Sequence, residues 1–426
     1  MIVAKFGGTS LADGARFRHI AGIIRSDPNR RYVVVSAPGK RFDADIKITD
    51  LLYRFQKSGN QEDFQPIEAR FQEIVDDLGI SLDLSEDFAE MKQLPHNADY
   101  MASCGEYLSA RIMAAFLDWP FVDAEECVFF DEGGNLDENK TSQALFEKLR
   151  RLPHAVLPGY YGVMPDGQIR TFSRGGSDIS GALVAAAMDA EVYENWTDVD
   201  GMLVTDPRIV PQAAPIDSIT YPELRELAYR GATVLHEASV VPVGRRGIPI
   251  HILNTFRPQA SGSWIVPQGE TPKTPITGIA GRKNYTAIQI ERENTNSMVG
   301  YVRRILSCLE ARNIPFEHLA TGLGSVCLVV PTSAIEGCRE ELKEEITLAA
   351  HPDSISMEDR LAMIAVVGRG MTNQPGVCAR LFSALGTNGI SVRVIDQGAG
   401  EMNIVVGVSE QDFEKAIRAI HREFFE

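Results

Sequence analysis

The C-terminal third of the chain repeats itself. Gly300 and Gly376 lie 76 residues apart, and the same spacing pairs Ile305 with Leu381, Leu309 with Leu385, Ile314 with Ile390, and Val329-Val330 with Val405-Val406. The turn glycines Gly322 and Gly324 pair in the same way with Gly398 and Gly400. Each copy reads strand, loop, helix, strand, hairpin turn, strand, helix. A gapless match across all of these marks a duplicated small α/β module.

Upstream of the repeat the pattern changes. Ile2–Phe6 reads as a buried strand, Gly7-Gly8-Thr9-Ser10 as a turn, and Phe17, Ile20, Ala21 and Ile24 recur at helical spacing. Tyr32-Val33-Val34-Val35, bounded by Pro38-Gly39, is a second strand. Strand, helix, strand predicts a mainly parallel sheet covered by helices on both faces. The pattern resumes with a strand at Ala155–Leu157, an Ala-rich helix over Asp178–Ala190, a strand ending near Trp196 and another over Ile248–Leu253. Pro258, Pro267, Pro272 and Pro275 mark a connecting region across Arg257–Thr277. The expected organisation is one large domain over residues 1–270 and two small modules over 283–350 and 357–426, with 271–282 adding a strand to the second module.

Composition narrows the partners. Among 426 residues, 58 Asp+Glu against 42 Lys+Arg give a net charge of −16, which argues against a nucleic acid or an anionic membrane. No stretch reaches the ~20 apolar residues needed to span a bilayer. Lys5 interrupts the first apolar run, so no signal-peptide core is expected. The 6 cysteines are scattered without a C-x-x-C pair, which fits reduced thiols better than zinc or disulfides. A cytoplasmic setting is expected.

Four clusters could carry chemistry. Lys5-Phe6-Gly7-Gly8-Thr9-Ser10 joins a strand, a glycine turn and a helix N-terminus, offering N–H donors and a cation to a phosphate. It lacks the Walker A spacing, and no G-x-G-x-x-G occurs; alone it would be a tight turn with a surface lysine. Arg174-Gly175-Gly176-Ser177-Asp178 opens another helix, with the Arg174 fork suited to a carboxylate or phosphate. Asp178 reads equally well as an N-cap. Glu106, after Ser103-Cys104-Gly105, reads by default as an exposed first-turn acid. Thr197-Asp198-Val199-Asp200-Gly201, with Asp206-Pro207 beyond, reads as a turn that could border a nucleotide or metal. No histidine cluster has ligand spacing, and Cys104 reads as a packed thiol.

These segments, with Ser36-Ala37-Pro38-Gly39, Asp206-Pro207-Arg208 and Gly231-Ala232-Thr233-Val234-Leu235-His236, occur in the order seen in aspartate kinases. The resemblance spans essentially the whole chain, is closest to single-function, lysine- or threonine-sensitive bacterial members, and extends to a tail similar to tandem ACT domains. It implies an amino-acid kinase fold, a mainly parallel sheet between helix layers, followed by two βαββαβ ACT domains of ferredoxin-like form. It also implies ATP-dependent phosphorylation of the L-aspartate side chain, with Mg²⁺ accompanying ATP, at the entry to lysine, methionine and threonine synthesis.

By that resemblance Lys5 would neutralise the transferring phosphoryl group and Asp178 would orient it. Arg174 would hold the substrate α-carboxylate and Glu106 its ammonium, while Ser36, Thr49 and Ser177 would line the pocket. Gly7, Gly8, Thr9, Ser10, Thr197, Asp198, Asp206 and Arg208 would border the nucleotide. An effector, lysine or threonine or both, would meet Thr295, Met298, Pro315, Glu317, Gly322 and Leu323, and the ACT pair would build a homodimer or higher homo-oligomer. Many relatives carry Lys at Thr233 and Pro at Glu237, and Gly322-Leu323 replaces a more polar pair.

Chemistry agrees with this. A carboxylate with a pKa of ~3.9 is already ionised at neutral pH, so the acceptor needs no general base. The obstacle is anion meeting anion, which fixed cations, N–H groups and Mg²⁺ relieve. Two rivals remain: a glutamate-type kinase of the same fold, and a catalytically silent amino-acid sensor. Length and the missing dinucleotide loop argue against a fused homoserine dehydrogenase.

Overall fold

The computed structural model describes every residue except 94–96, 174, 232–234, 236, 270–273, 294–297, 373, 399 and 401. It divides into two units: residues 1–202, 215–224 and 233–269, and residues 203–214, 225–232 and 270–426.

Among the described residues the first unit is built on nine strands: β1 Ile2–Phe6, β2 Arg30–Val35, β3 Ala155–Pro158, β4 Tyr161–Val163, β5 Ile169–Thr171, β6 Val192–Thr197, β7 Ser218–Thr220, β8 Ile250–Asn254 and β9 Ser263–Val266. Seven form one sheet in the order β3-β2-β1-β6-β8-β9-β7, and β4 and β5 make a separate hairpin. Pairing is parallel except between β8 and β9. Short β-branched runs buried on both faces suit such a sheet, because helices cover it above and below. One face carries Ala4, Phe6, Val33, Val35 and Trp196 into a core shared with helices Gly14–Ser26, Ile48–Ser58, Gln61–Leu78 and Ala98–Leu117. Side chains alternate along β1, so Lys5 points to the opposite face, where helix Gly176–Ala187 lies.

The chain leaves β1 by one route to β2 and reaches β6, on the other side of β1, much later. This reversal of strand order opens a crevice at the carboxyl ends of β1 and β6, the usual ligand position in such sheets.

The second unit holds β10 Gly278–Glu291, β11 His318–Thr321, β12 Ser325–Pro331, β13 Ser354–Val367, β14 Val392–Asp396 and β15 Asn403–Ser409, in one sheet ordered β11-β12-β10-β13-β15-β14. β10 and β13 are each 14 residues long and run antiparallel. The outer half of each belongs to one module and the inner half to the other: Tyr285–Glu291 pairs with β12, while Gly278–Arg282 pairs with the end of β13. The repeat spacing explains the arrangement. Tyr285 and Leu361, 76 apart, face each other across the ladder, so an internal two-fold axis passes between them. Asn284 and Arg360, also 76 apart, both take left-handed backbone (φ 70° and 61°) where the register shifts.

The gapless repeat needs correction. The spacing is 76 through the helices capped by Gly300 and Gly376, and between His318 and Val394. It becomes 78 in the last strand, since Pro331 occupies against Tyr285 the place that Ser409 occupies against Leu361. The second hairpin loop is two residues longer. A slip of two preserves which side chains face the core, so the apolar pattern hid it.

Two segments of the first 270 residues also belong to the second unit. Val204 O accepts from Ile279 N (2.7 Å), and Val210 lies in the core of the second module. No helix among the described residues is long and apolar enough to cross a membrane, and all six cysteines are free.

Candidate active site

Strand β1 delivers Lys5 to the carboxyl edge of the sheet between its neighbours Val34 and Asn195. The lysine is 7% exposed, and its Nζ lies 2.5 Å from Asp178 Oδ1. The surface-lysine reading of this segment is therefore wrong. Asp178 sits in the first turn of helix Gly176–Ala187, whose N-cap is Gly175 with φ 60°, so it is not the N-cap either. Its Oδ1 also accepts from Asn195 Nδ2 (2.8 Å), and its backbone carbonyl accepts from Tyr193 Oη (3.0 Å). Gly176 has no room for a side chain, because a Cβ there would lie 2.5 Å from the Tyr160 ring.

The glycine turn differs from expectation in one respect. Residues Gly8–Leu11 form a 3-10 turn, and the α-helix starts only at Gly14, capped by Asp13, whose carboxylate accepts from Arg16 N (2.9 Å). The helix end is thus satisfied by the chain's own acid. What remains for an anion is the turn itself, folded close to Lys5: a Cβ on Gly7 would lie 3.6 Å from Lys5 Nζ. Gly8 is obligatory, since its Cβ would stand 2.6 Å from the Ala37 carbonyl oxygen. Thr9 is exposed and Ser10 buried, its hydroxyl donating to Thr255 Oγ1 (2.8 Å). Thr197 O accepts from Thr255 N (2.8 Å), and the Thr197 hydroxyl donates to Asp198 Oδ1 (3.3 Å).

Glu106 is the largest departure from the default reading. Its helix begins at Ala98, capped by Asn97, so Glu106 lies mid-helix and is 6% exposed. The Ala37 N–H supports its carboxyl group, yet Oε2 has no hydrogen-bond partner among the described residues, and burial pushes the pKa up to about 8. A buried acid left half-satisfied is poised for a cationic ligand group. Ser36, whose N–H donates to Phe6 O (3.2 Å), opens the same Ala37 turn, and Thr49 is the second residue of the helix whose first N–H, that of Ile48, donates to Pro38 O (3.2 Å). Ser177 packs on Gly159 at the end of β3. Lys5, Gly7, Gly8, Ser36, Thr49, Glu106, Ser177, Asp178 and Thr197 thus gather at or beside the carboxyl edge of the central strands.

Arg174 and Thr295 lie outside the described residues, as do Thr233 and the Glu237 side chain. Asp206 and Arg208 belong to the second unit, where they pair with each other (Nη2–Oδ2 2.7 Å). Of the other effector candidates, Met298 packs on the first module's core and Pro315 is exposed. Glu317 pairs with Arg230, Gly322 N donates to Ser325 O (2.8 Å), and Leu323 is 77% exposed. The sequence reading missed Asn195. Its signal was two adjacent polar residues, Glu194 and Asn195, in a strand otherwise fit for burial; Glu194 is answered by Arg30 (2.7 Å) and Trp196 Nε1 (2.8 Å) on the other face.

A caged lysine beside glycine turns, with a half-satisfied buried acid nearby, suits an enzyme that stabilises anions rather than one that attacks through its own nucleophile. The model of the amino acid kinase family matches residues 1–254, and that of an ACT domain residues 364–424. Aspartokinase 3 of Bacillus subtilis is 33% identical over 100% of this chain and 99% of its own length. The crystal structure of Clostridium acetobutylicum aspartate kinase is similar with a TM-score of 0.90 and 44% identity, covering 99% of each chain. E. coli aspartokinase III, solved with aspartate and ADP in an R-state and with lysine and aspartate in a T-state, covers 100% of each chain at 26% and 27% identity, with TM-scores of 0.78 and 0.74. The chain belongs to the aspartokinases.

Proposed function

We propose that this enzyme transfers the terminal phosphoryl group of ATP to the side-chain carboxylate of L-aspartate, forming 4-phospho-L-aspartate and ADP. The observation that carries the mechanism is Lys5, buried and fixed by Asp178 beside the glycine turn. One carboxylate oxygen attacks the γ-phosphorus, the bond from that phosphorus to the ADP oxygen breaks, and its electron pair leaves with ADP. No proton moves. Lys5 and the N–H groups around Gly7 and Gly8 offset the repulsion between the two anions, and being held in place they need not reorganise.

Glu106 takes the substrate ammonium, Arg174 its α-carboxylate, and Ser36, Thr49 and Ser177 line the acceptor pocket. Thr9, Ser10, Thr197 and Asp198 border the nucleotide. Among the described residues no three His, Cys, Asp or Glu side chains converge to hold a metal. A Mg²⁺ ion arriving with ATP would keep phosphate oxygens and water as ligands, as its reluctance to dehydrate favours.

The duplicated modules are read as a feedback device that binds lysine and joins copies of the chain. Phe316 (46% exposed), Leu323 (77%) and Ile395 (56%) place apolar surface on or beside the edge strands β11 and β14, which supports self-association. Six free thiols support a reducing, cytoplasmic setting.

The deciding assay supplies ATP, Mg²⁺ and L-aspartate with hydroxylamine. Aspartyl hydroxamate is the expected product; turnover of glutamate alone would identify the glutamate-type rival, and binding without turnover the silent sensor. Asn195→Leu is expected to lower kcat roughly tenfold, the order of a lost hydrogen bond to a charged group. Its KM values for aspartate and ATP should stay within about threefold, because Asn195 acts on Asp178 rather than on ligand. Steady-state kinetics with both substrates checks this split.

A further inference from the structure

Residues 225–232 lie far upstream of the modules in sequence yet belong to the second unit. They are fastened there from several sides. Leu227 is 2% exposed and packs on Gly278, Arg282 Nη2 donates to Ala228 O (3.5 Å), and Asn403 Nδ2 donates to Glu226 Oε2 (2.5 Å). The segment ends by inserting Arg230, whose guanidinium forms an ion pair with Glu317 immediately before β11. The Arg230 and Glu317 side chains are only 9% and 6% exposed. Tyr229 Oη donates to Glu317 Oε2 (3.1 Å), so both carboxylate oxygens are engaged.

Two charges taken this far out of water are held only because each answers the other; removing one strands its partner. Glu317 is also the acid that the regulatory reading assigns to the effector. A carboxylate offers about four lone-pair sites, but a second cation drawn to Glu317 would lie beside the Arg230 guanidinium already paired with it and be repelled by it.

We infer that Arg230 is a built-in competitor for the regulatory site: its guanidinium occupies Glu317 where the ammonium of an amino-acid effector would sit, and the effector binds by displacing it. This rests on the reading of the modules as a lysine site and adds the residue that sets its threshold. An apparent affinity is lowered by the fraction of molecules whose site is closed, so the strength of the Arg230–Glu317 pair tunes the concentration at which inhibition begins. It also assigns the ligand class, because only a compound bearing a free ammonium replaces the lost charge.

The test is calorimetric titration of the full-length enzyme with L-lysine and with Nα,Nε-diacetyl-lysine. Arg230→Gln is expected to bind L-lysine at least about tenfold more tightly than the unsubstituted enzyme, and Arg230→Lys, which keeps a shorter cation, about threefold more tightly. Glu317→Gln should abolish binding, and the diacetylated compound should bind none of them. If Arg230→Gln proves unfolded by circular dichroism, Arg230→Lys alone decides. Lysine bound by the unsubstituted enzyme but no more tightly by the folded Arg230 variants overturns the inference and leaves the regulatory reading standing. Lysine bound by neither overturns both.

Discussion

Lys5→Met is expected to lower kcat by about two to three orders of magnitude, the scale seen when a preorganised group facing developing charge is removed. Lys5 is paired directly with Asp178 and is almost sealed from water. No neighbouring lysine among the described residues of β1, β2 or β6 could move into its place. Among the described residues, the substitution also leaves Asp178 with Asn195 as its hydrogen-bonding side-chain partner. Asp178 is 19% exposed, so the loss of stability stays below the full cost of a buried pair, at about 2 kcal/mol. The double variant Lys5→Met/Asp178→Asn separates the two effects. It should recover most of the lost stability in urea unfolding while remaining inactive. Recovery of turnover in that double variant would mean Lys5 serves the fold and not the phosphoryl group.

Glu106→Gln should raise the KM for aspartate about ten- to a hundredfold at pH 8.5, the scale of losing a charge-assisted contact of about 1.5–3 kcal/mol. The pH dependence gives the sharper test. Burial raises the Glu106 pKa to about 8, so below that pH the free enzyme carries a neutral acid, and binding an ammonium must expel a proton. The KM for aspartate should therefore fall roughly tenfold per pH unit as pH rises towards 8 and flatten above it, while Glu106→Gln shows no such slope. Stability runs the other way. An acid that holds its proton more tightly when folded loses stability as pH rises from its unfolded pKa, near 4.5, to about 8. Ligand-free Glu106→Gln should accordingly match the unsubstituted protein at pH 4.5 and exceed it by a few kcal/mol at pH 8.5. Thermal unfolding across that range, with and without aspartate, checks the sign.

The parts of this molecule visible in the sequence are those governed by local periodicity. β1, β2 and the duplicated modules could be read because burial of alternate or successive β-branched residues leaves a pattern. The glycine turns could be read because a Cβ is excluded at Gly8 and Gly176. Glu106 was misjudged because the helix start hides at Asn97, eight residues upstream of any glycine signal, and its burial comes from the Ala37 turn packed against it. Asn195 was missed because its partner, Asp178, meets it only across strand and helix. The transfer of residues 203–214 and 225–232 to the second unit has no local signature at all; it depends on Ile279 and Gly278 receiving them.

The long strands β10 and β13 make the two modules dependent on each other. Since each one completes the neighbouring module as well as its own, a truncation after Ala350 would not yield a smaller working regulator; it would strip an edge from the surviving copy and expose unpaired backbone along Tyr285–Glu291. The two copies differ by two residues at the hairpin tip, an even number that leaves the paired registers of their last strands equivalent.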